Sequence, residues 1–299
     1  MRTQPTVPGN GPLPGFPMIH SRVPLCLRDA VINVMGIVLV CLLVLSFYFA
    51  TVLPPKVYGD GLEYTVQLWA LASHVSPEIR QSDIESLSSY IQGHEIIWFR
   101  KSFLSDLAEQ MRSRGRGDGL FFESRSGQYF GLHFWFYSAL CVPIKWTLQL
   151  LHGNELKAFQ LTNAVLLTLG LLYLFSASSL SRESRIAIAL LFYGVGTSDY
   201  LRWPGTEVFS AVACLVASVA FLEGRLLFST FMFGICALQN PTVALMISVI
   251  FVSQLDYWLK LPVSAKFKVV GQFALAGGCS LLPAAYYFVL FGSPSLIAR

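Results

Sequence analysis

"AVINVMGIVLVCLLVLSFYFATVL", residues 30–53, runs for 24 residues without a charge. At a rise of about 1.5 Å per residue, such a helix crosses a hydrocarbon core of about 30 Å with room to tilt. Arg22 and Arg28 precede it, as basic residues precede a secretory leader. The run is too long for the apolar part of a leader, however, and no small-x-small cleavage site follows before Pro54-Pro55. The sequence predicts a retained first membrane helix. Directly after it comes "VYGDGLEYTVQLWA", residues 57–70, which sets Asp60 and Glu63 at the mouth of the span.

Composition agrees with a bilayer protein. Hydrophobic residues make up 54% of the chain and charged residues 13%, and the mean hydropathy is +0.58, outside the balance of a soluble globular domain. The net charge of +4 is small. Of 17 acidic residues, 10 lie between Pro54 and Phe134, against 8 of the 21 basic ones, which argues against a nucleic-acid partner. Cys41, Cys214, Cys236 and Cys279 sit in apolar runs and read as small buried hydrophobes, without zinc-type spacing.

Further apolar runs follow at about 156–179, 184–200, 205–222, 225–240, 242–259 and 268–291. The expected fold class is all-α: a polytopic transmembrane helical bundle of about seven spans. Under alternating topology with a cytoplasmic N-terminus, Arg22, Arg28, Arg182, Arg185, Arg225, Lys260, Lys266 and Lys268 all fall on the cytoplasmic side. The opposite short loops hold only Arg202. That is the positive-inside bias. It predicts a multi-pass membrane protein with a first outer loop at 54–155 containing interfacial helices, and the expected location is a bacterial inner (plasma) membrane. One more run, "FWFYSALCVPIKWTLQLL" at 134–151, carries Pro143 and Lys145 near its centre. Counting it as a span would invert every downstream charge cluster, so it reads as an interfacial or re-entrant helix. Residues 1–29, rich in proline, read as a disordered cytoplasmic tail ahead of a membrane domain at 30–299. The chain stops at "FGSPSLIAR", just after a span, which reads as a piece of a longer protein.

On the outer side the polar residues form a small set. A helix starting near Gly61 would put Glu63 and Gln67 on one face and Leu62, Val66 and Trp69 on another, an amphipathic helix at the interface. Asp60 suits an N-cap, but Gly59 and Gly61 bracket it without bulk, so its carboxylate also suits a ligand. In "SRSGQYFGLHFWFY", residues 124–137, Gly127 and Gly131 suggest a mobile aromatic approach carrying Tyr129 and His133. His133 also suits an interfacial belt. In "GTSDYLRWPGTEVF", residues 196–209, Asp199, Arg202 and Glu207 interrupt two apolar runs. They serve either as anchors at span ends or, with Arg202 between carboxylates, as a site for an anionic phosphate. "QNPT" at 239–242 reads as a turn, and "SRGRGDG" at 113–119 as a flexible loop without phosphate-loop spacing.

This layout resembles the GT-C superfamily of integral membrane glycosyltransferases, in its polyprenyl-phosphate-sugar-dependent, family 39-like branch. The likeness rests on one N-terminal span, the acidic "GDGLEY" just outside it, the tyrosine–histidine–tyrosine segment of Tyr129, His133 and Tyr137, and the turn in "LHGNELKAFQLTNAVLL". A doubled proline common after the histidine is replaced by Phe134-Trp135, and no DxD is present. The resemblance implies a lipid-linked sugar donor and an acceptor on the extracytoplasmic face. It assigns Asp60 as general base or ligand of a divalent cation (Mg or Mn), with Glu63 assisting. Tyr129, His133, Asp199, Arg202 and Glu207 would bind substrate or donor, Arg202 holding the phosphate. Metal dependence is open on the sequence. A transporter or flippase of lipid-linked glycans, or a membrane assembly protein, is the alternative. A transporter places charge near the middle of its spans, whereas these spans keep their polar residues at the outer rim.

Overall fold

The structure is a computed structural model that describes residues 25–94, 101–113 and 120–294. The proline-rich segment through residue 24 and the glycine- and arginine-rich stretch at 114–119 lie outside the described residues. Residues 25–29, expected in the tail, already belong to the first helix. In chain order the elements are α1 (Leu25–Thr51), α2 (Asp60–His74), α3 (Gln81–Gly93), α4 (Lys101–Ser113), β1 (Phe121–Glu123), β2 (Tyr129–Gly131), α5 (Phe136–Leu150), α6 (Ala158–Ser176), α7 (Arg182–Phe192), the one-turn α8 (Ser198–Tyr200), α9 (Glu207–Leu222), α10 (Leu226–Ala237), α11 (Leu245–Ser253), α12 (Leu255–Leu259), α13 (Val263–Gly278) and α14 (Leu282–Phe291). Strands β1 and β2 pair as an antiparallel hairpin, Phe122 opposite Phe130.

The fold is mostly helical, and among the described residues three helices are long and apolar enough to cross a membrane: Val34–Thr51, Glu155–Ser176 and Val263–Phe291. Helices at Glu207–Leu222, Leu226–Ala237 and Pro241–Ser253 are apolar but shorter. Two expected runs are broken. The run at 184–200 stops at Phe192, where the chain passes through a wide turn with Gly196 at φ 98°, a backbone conformation suited to glycine. The run at 242–259 divides at Gln254, between α11 and α12.

Two kinds of packing divide the molecule. α1 sets Leu42 into a core with Leu167, Leu171 and Val212, yet leaves Val34, Ile37, Val40 and Val44 exposed. An exposed apolar face on a long helix fits lipid better than water. The segment from Val57 to Leu156 instead closes around its own core, with Val66, Trp69, Ile79, Leu87, Leu104 and Phe121 among its members. The expected amphipathic helix at the interface is therefore corrected. α2 is buried on every side from Gly61 to Leu71, because Leu62, Val66 and Trp69 enter this core while Tyr64, Leu68 and Leu71 enter a second one with Tyr137 and Phe159.

Hydrogen bonds define two ends of the helix group. At one, Lys56 N–H donates to the Arg202 carbonyl at 2.8 Å. There too the Asn163 amide donates to the carbonyls of Tyr200 and Trp203, each at 3.3 Å. At the other, Ser178 N–H donates to Glu223 Oε1 at 2.7 Å. Both ends of α5 are tied to the first of these. Its start follows His133, which bonds α2, and beyond its end Lys157 Nζ donates to the Thr51 carbonyl at the close of α1. Between them α5 lies along α2: Ser138 donates to the Tyr64 carbonyl and Trp146 to the Ala72 carbonyl. Lys145 forms a buried 2.6 Å ion pair with Glu155 and lies 4.3 Å over the Trp69 ring, so the one charge of this apolar run is paired inside the protein.

Candidate active site at the end of α2

Gly59 is the N-cap of α2, at φ 54°. Asp60 is therefore the first helical residue, and no side-chain cap bond forms. This replaces the capping reading of Asp60, whose side chain is 52% exposed. One turn on, Glu63 is fully buried. A buried carboxylate is costly unless its oxygens are bonded, and these are. Glu63 Oε1 accepts from His133 N–H at 2.7 Å and from Gln67 Nε2 at 3.0 Å, and Oε2 faces His133 Nδ1 at 2.8 Å.

The rest of the turn locks this arrangement. Gln67, four residues after Glu63 and on the same helix face, also donates to the His133 carbonyl at 2.8 Å. Its own oxygen accepts from Ser138 Oγ at 3.2 Å. Gly131 makes the approach possible, since a Cβ there would overlap both the Gln67 amide and Glu63 Oε1. Its role is close packing, where the sequence suggested a mobile approach.

Because the Glu63 carboxylate accepts at Nδ1, the proton of a neutral His133 belongs on Nδ1 and Nε2 is left as the acceptor. Nε2 points to Asp60 Oδ2 at 3.8 Å, in a side chain that remains 28% exposed. The Tyr64 ring leans on the imidazole, centroids 5.3 Å apart. Burial alone lowers the affinity of His133 for a proton, but the Glu63 hydrogen bond and charge, with Asp60 and Glu207, outweigh it and raise its pKa above the ordinary histidine value. Burial likewise raises Glu63, against the His133 bond. The pair thus holds a proton more firmly than either group does in water, and its accessible nitrogen lies at the edge of the protein. Such a carboxylate-oriented imidazole is suited to general base and acid chemistry.

Glu207 joins the same neighbourhood. It opens α9, its charge acts on both His133 and Asp60, and its Oε2 is buried without a hydrogen-bond partner. Asp60, Glu63, His133 and Glu207 are therefore brought together. Arg202 and Asp199 are not part of that group. Arg202 clamps the chain after α1, its Nε and Nη2 donating to the Pro54 carbonyl at 3.1 and 3.0 Å. Asp199, 79% exposed, pairs with Lys56 at 3.3 Å. Trp203 stacks on Tyr58 and on Tyr200, at 5.3 and 5.6 Å. Tyr129 departs furthest from expectation: its side chain is buried in the core beneath α2 and α3 while its carbonyl accepts from Ile79 N–H.

Among the described residues no three His, Cys, Asp or Glu side chains are grouped to hold a metal ion. His133 Nδ1 is engaged by Glu63, and its Nε2 lies 3.8 Å from Asp60 without a third ligand grouped there, so these residues do not fit the divalent cation that the resemblance implies.

Sequence reasoning missed Asn163, whose Oδ1 accepts from Tyr137 Oη at 2.6 Å while its amide holds the 200–203 turn. An asparagine in the apolar run of α6 was the available signal. No family model, curated protein or solved structure matches the chain.

Proposed function

We propose that this chain is a membrane glycosyltransferase, moving a sugar from a polyprenyl-phosphate donor to an acceptor hydroxyl on the extracytoplasmic face. The observation that carries the reading is the buried Glu63 that holds His133 with Nε2 toward the exposed Asp60. His133, rather than Asp60, is then the general base. As the acceptor oxygen bonds to the anomeric carbon, the bond from that carbon to the donor phosphate oxygen breaks. The acceptor proton passes to Nε2, and the phosphate leaves on its lipid. Glu63 and Asp60 on either side of the ring stabilise the imidazolium that forms.

Topology supports an outer-face site. The site lies at the opposite end of the helix group from Ser178 and Glu223. Arg182, Arg185 and Arg225 adjoin that second end in sequence, where the positive-inside rule would put the cytoplasm. In this reading the shorter apolar helices, together with α7, complete a seven-span bundle in a bacterial inner membrane, with the N-terminus cytoplasmic. Lys56, Lys157 and Arg202 are cations of the outer rim, at the depth where a donor phosphate would lie.

The test is transfer of labelled sugar from a panel of polyprenyl-phosphate donors, in membranes holding matched amounts of wild type and His133→Ala. Loss of transfer in the inserted variant supports the reading. Absence of transfer by wild type across the panel overturns it, in favour of glycan transport or assembly.

A further inference from the structure

Leu132 N–H still donates to the Leu120 carbonyl at 2.8 Å, but the segment Leu132–Phe134 belongs to neither β2 nor α5. Its three successive carbonyls are nevertheless all held, each by a side chain from a different part of the chain. The Leu132 carbonyl accepts from Tyr287 Oη of α14 at 2.7 Å. The His133 carbonyl accepts from Gln67 of α2 at 2.8 Å, and the Phe134 carbonyl from Gln239, just beyond α10, at 2.7 Å.

We infer that Tyr287 and Gln239 are positioning residues that hold the His133 peptide against Glu63 from the bundle side, opposite the hold exerted by Gln67. They are distant in sequence from the 129–137 segment, and neither contacts the imidazole through a hydrogen bond. Their bonds grip the residues immediately before and after His133. A main chain gripped on both sides cannot rotate His133 N–H away from Glu63 Oε1 without breaking one of them. Aromatic packing reinforces the Tyr287 side: Phe130 packs with Tyr287 and Phe291 in one small core, and Phe134 meets Tyr286 at 5.4 Å. The geometry of the pair therefore depends on α10 and α14, two helices that contribute no group to the chemistry.

The inference rests on the transferase reading for its kinetic consequence but has a readout of its own. Tyr287→Phe keeps the ring and removes the donor; Gln239→Leu keeps the bulk and removes the amide. Each is expected to lower kcat for sugar transfer about tenfold with KM unchanged, the size of one ordinary hydrogen bond. The independent readout is NMR titration of the His133 imidazole in detergent-solubilised, histidine-labelled protein. As the Glu63 contact loosens, its titration should move down toward the ordinary value near 6.5 in each variant, and further in the double variant. A double variant that remains folded and titrates His133 as wild type does overturns the inference. Wild-type protein that transfers no sugar removes the transferase reading, while the titration still decides whether Tyr287 and Gln239 hold His133.

Discussion

Glu63 engages His133 twice, accepting the main-chain N–H through Oε1 at 2.7 Å and facing ring Nδ1 through Oε2 at 2.8 Å. One carboxylate thereby fixes both the position of the residue and the rotation of its ring. The cost of burying Glu63 is offset only while both contacts persist, so the pair is a unit and neither residue has a separate role.

Removing either member should therefore abolish the same function. His133→Ala is expected to lower kcat for sugar transfer by about 10²- to 10⁴-fold, the range typical of general acid–base groups. Glu63→Gln keeps the volume but puts an amide where an acceptor is needed, and the double variant should lose little more than the worse single one. Steady-state kinetics on protein with unchanged detergent-solubilised elution profiles checks this. Additive losses would show that the two residues act independently.

The pH profile distinguishes Asp60 as an electrostatic partner from Asp60 as the base. His133 must be unprotonated to accept a proton, so activity should rise with pH through its raised pKa. Asp60 is among the charges that raise it. Asp60→Asn removes that charge, makes the imidazolium less stable and should move the acidic limb of the profile toward lower pH. A limb that disappears in Asp60→Asn would make Asp60 the titrating base instead.

Gly131 is the point at which a minimal side chain disturbs the site most directly. Gly131→Ala drives a methyl group into the Gln67 amide and Glu63 Oε1, and overpacking of this kind costs about 1–3 kcal/mol. The expected result is a lower thermal midpoint together with a weakened His133–Glu63 contact. Gly127→Ala is the comparison: its Cβ would meet only Glu123 Oε1 at 3.6 Å, although φ of 81° adds local strain. Equal loss of activity in the two variants would show that the Gly131 contact is not what matters.

Lys145 and Glu155 test how the apolar run at 134–151 is seated. The pair is nearly excluded from solvent, with side chains 7% and 13% exposed. Removing one partner of a buried pair typically costs about 3–5 kcal/mol, because the other charge is left unpaired. Lys145→Met should therefore destabilise more than Lys145→Met combined with Glu155→Gln, and thermal unfolding in detergent measures both. Equal midpoints for single and double variants would argue that water reaches the pair.

How much of this was legible varied with the kind of interaction. The apolar runs gave the mostly helical, membrane-compatible architecture because a span is a local property of about 20 residues. Asp60, Glu63 and His133 stood out as polar residues beside apolar ones, and the i, i+4 pairing of Glu63 with Gln67 followed from helix geometry. What sequence did not carry was direction. Helical periodicity shows that Glu63 and Gln67 share a face but not that another segment covers it, and α2 was read as wet on that side when Gly131 and His133 pack there. Arg202 beside two carboxylates looked like an anion site, yet its guanidinium is bonded to the Pro54 carbonyl 148 positions away in sequence. Tyr287 and Gln239 carry no local sign of their bonds to the His133 segment, since those contacts span 155 and 105 positions.

Orientation in the membrane gives the last prediction. Ser126 lies in the turn of the β1–β2 hairpin, on the side of the site, and Ser179 lies beside Ser178, at the far end of the helix group. Both are exposed. With an outer-face active site, a thiol reagent that cannot cross membranes should label Ser126→Cys in intact spheroplasts and leave Ser179→Cys unlabelled until the membrane is opened. The native cysteines are replaced beforehand, and the cysteine-free protein is checked for elution as a single species. The reverse labelling pattern would place Asp60 and His133 in the cytoplasm. A polyprenyl-phosphate donor presented on the outer leaflet could not reach them there, and the proposed reaction would have to be given up even if the Glu63–His133 pair were intact.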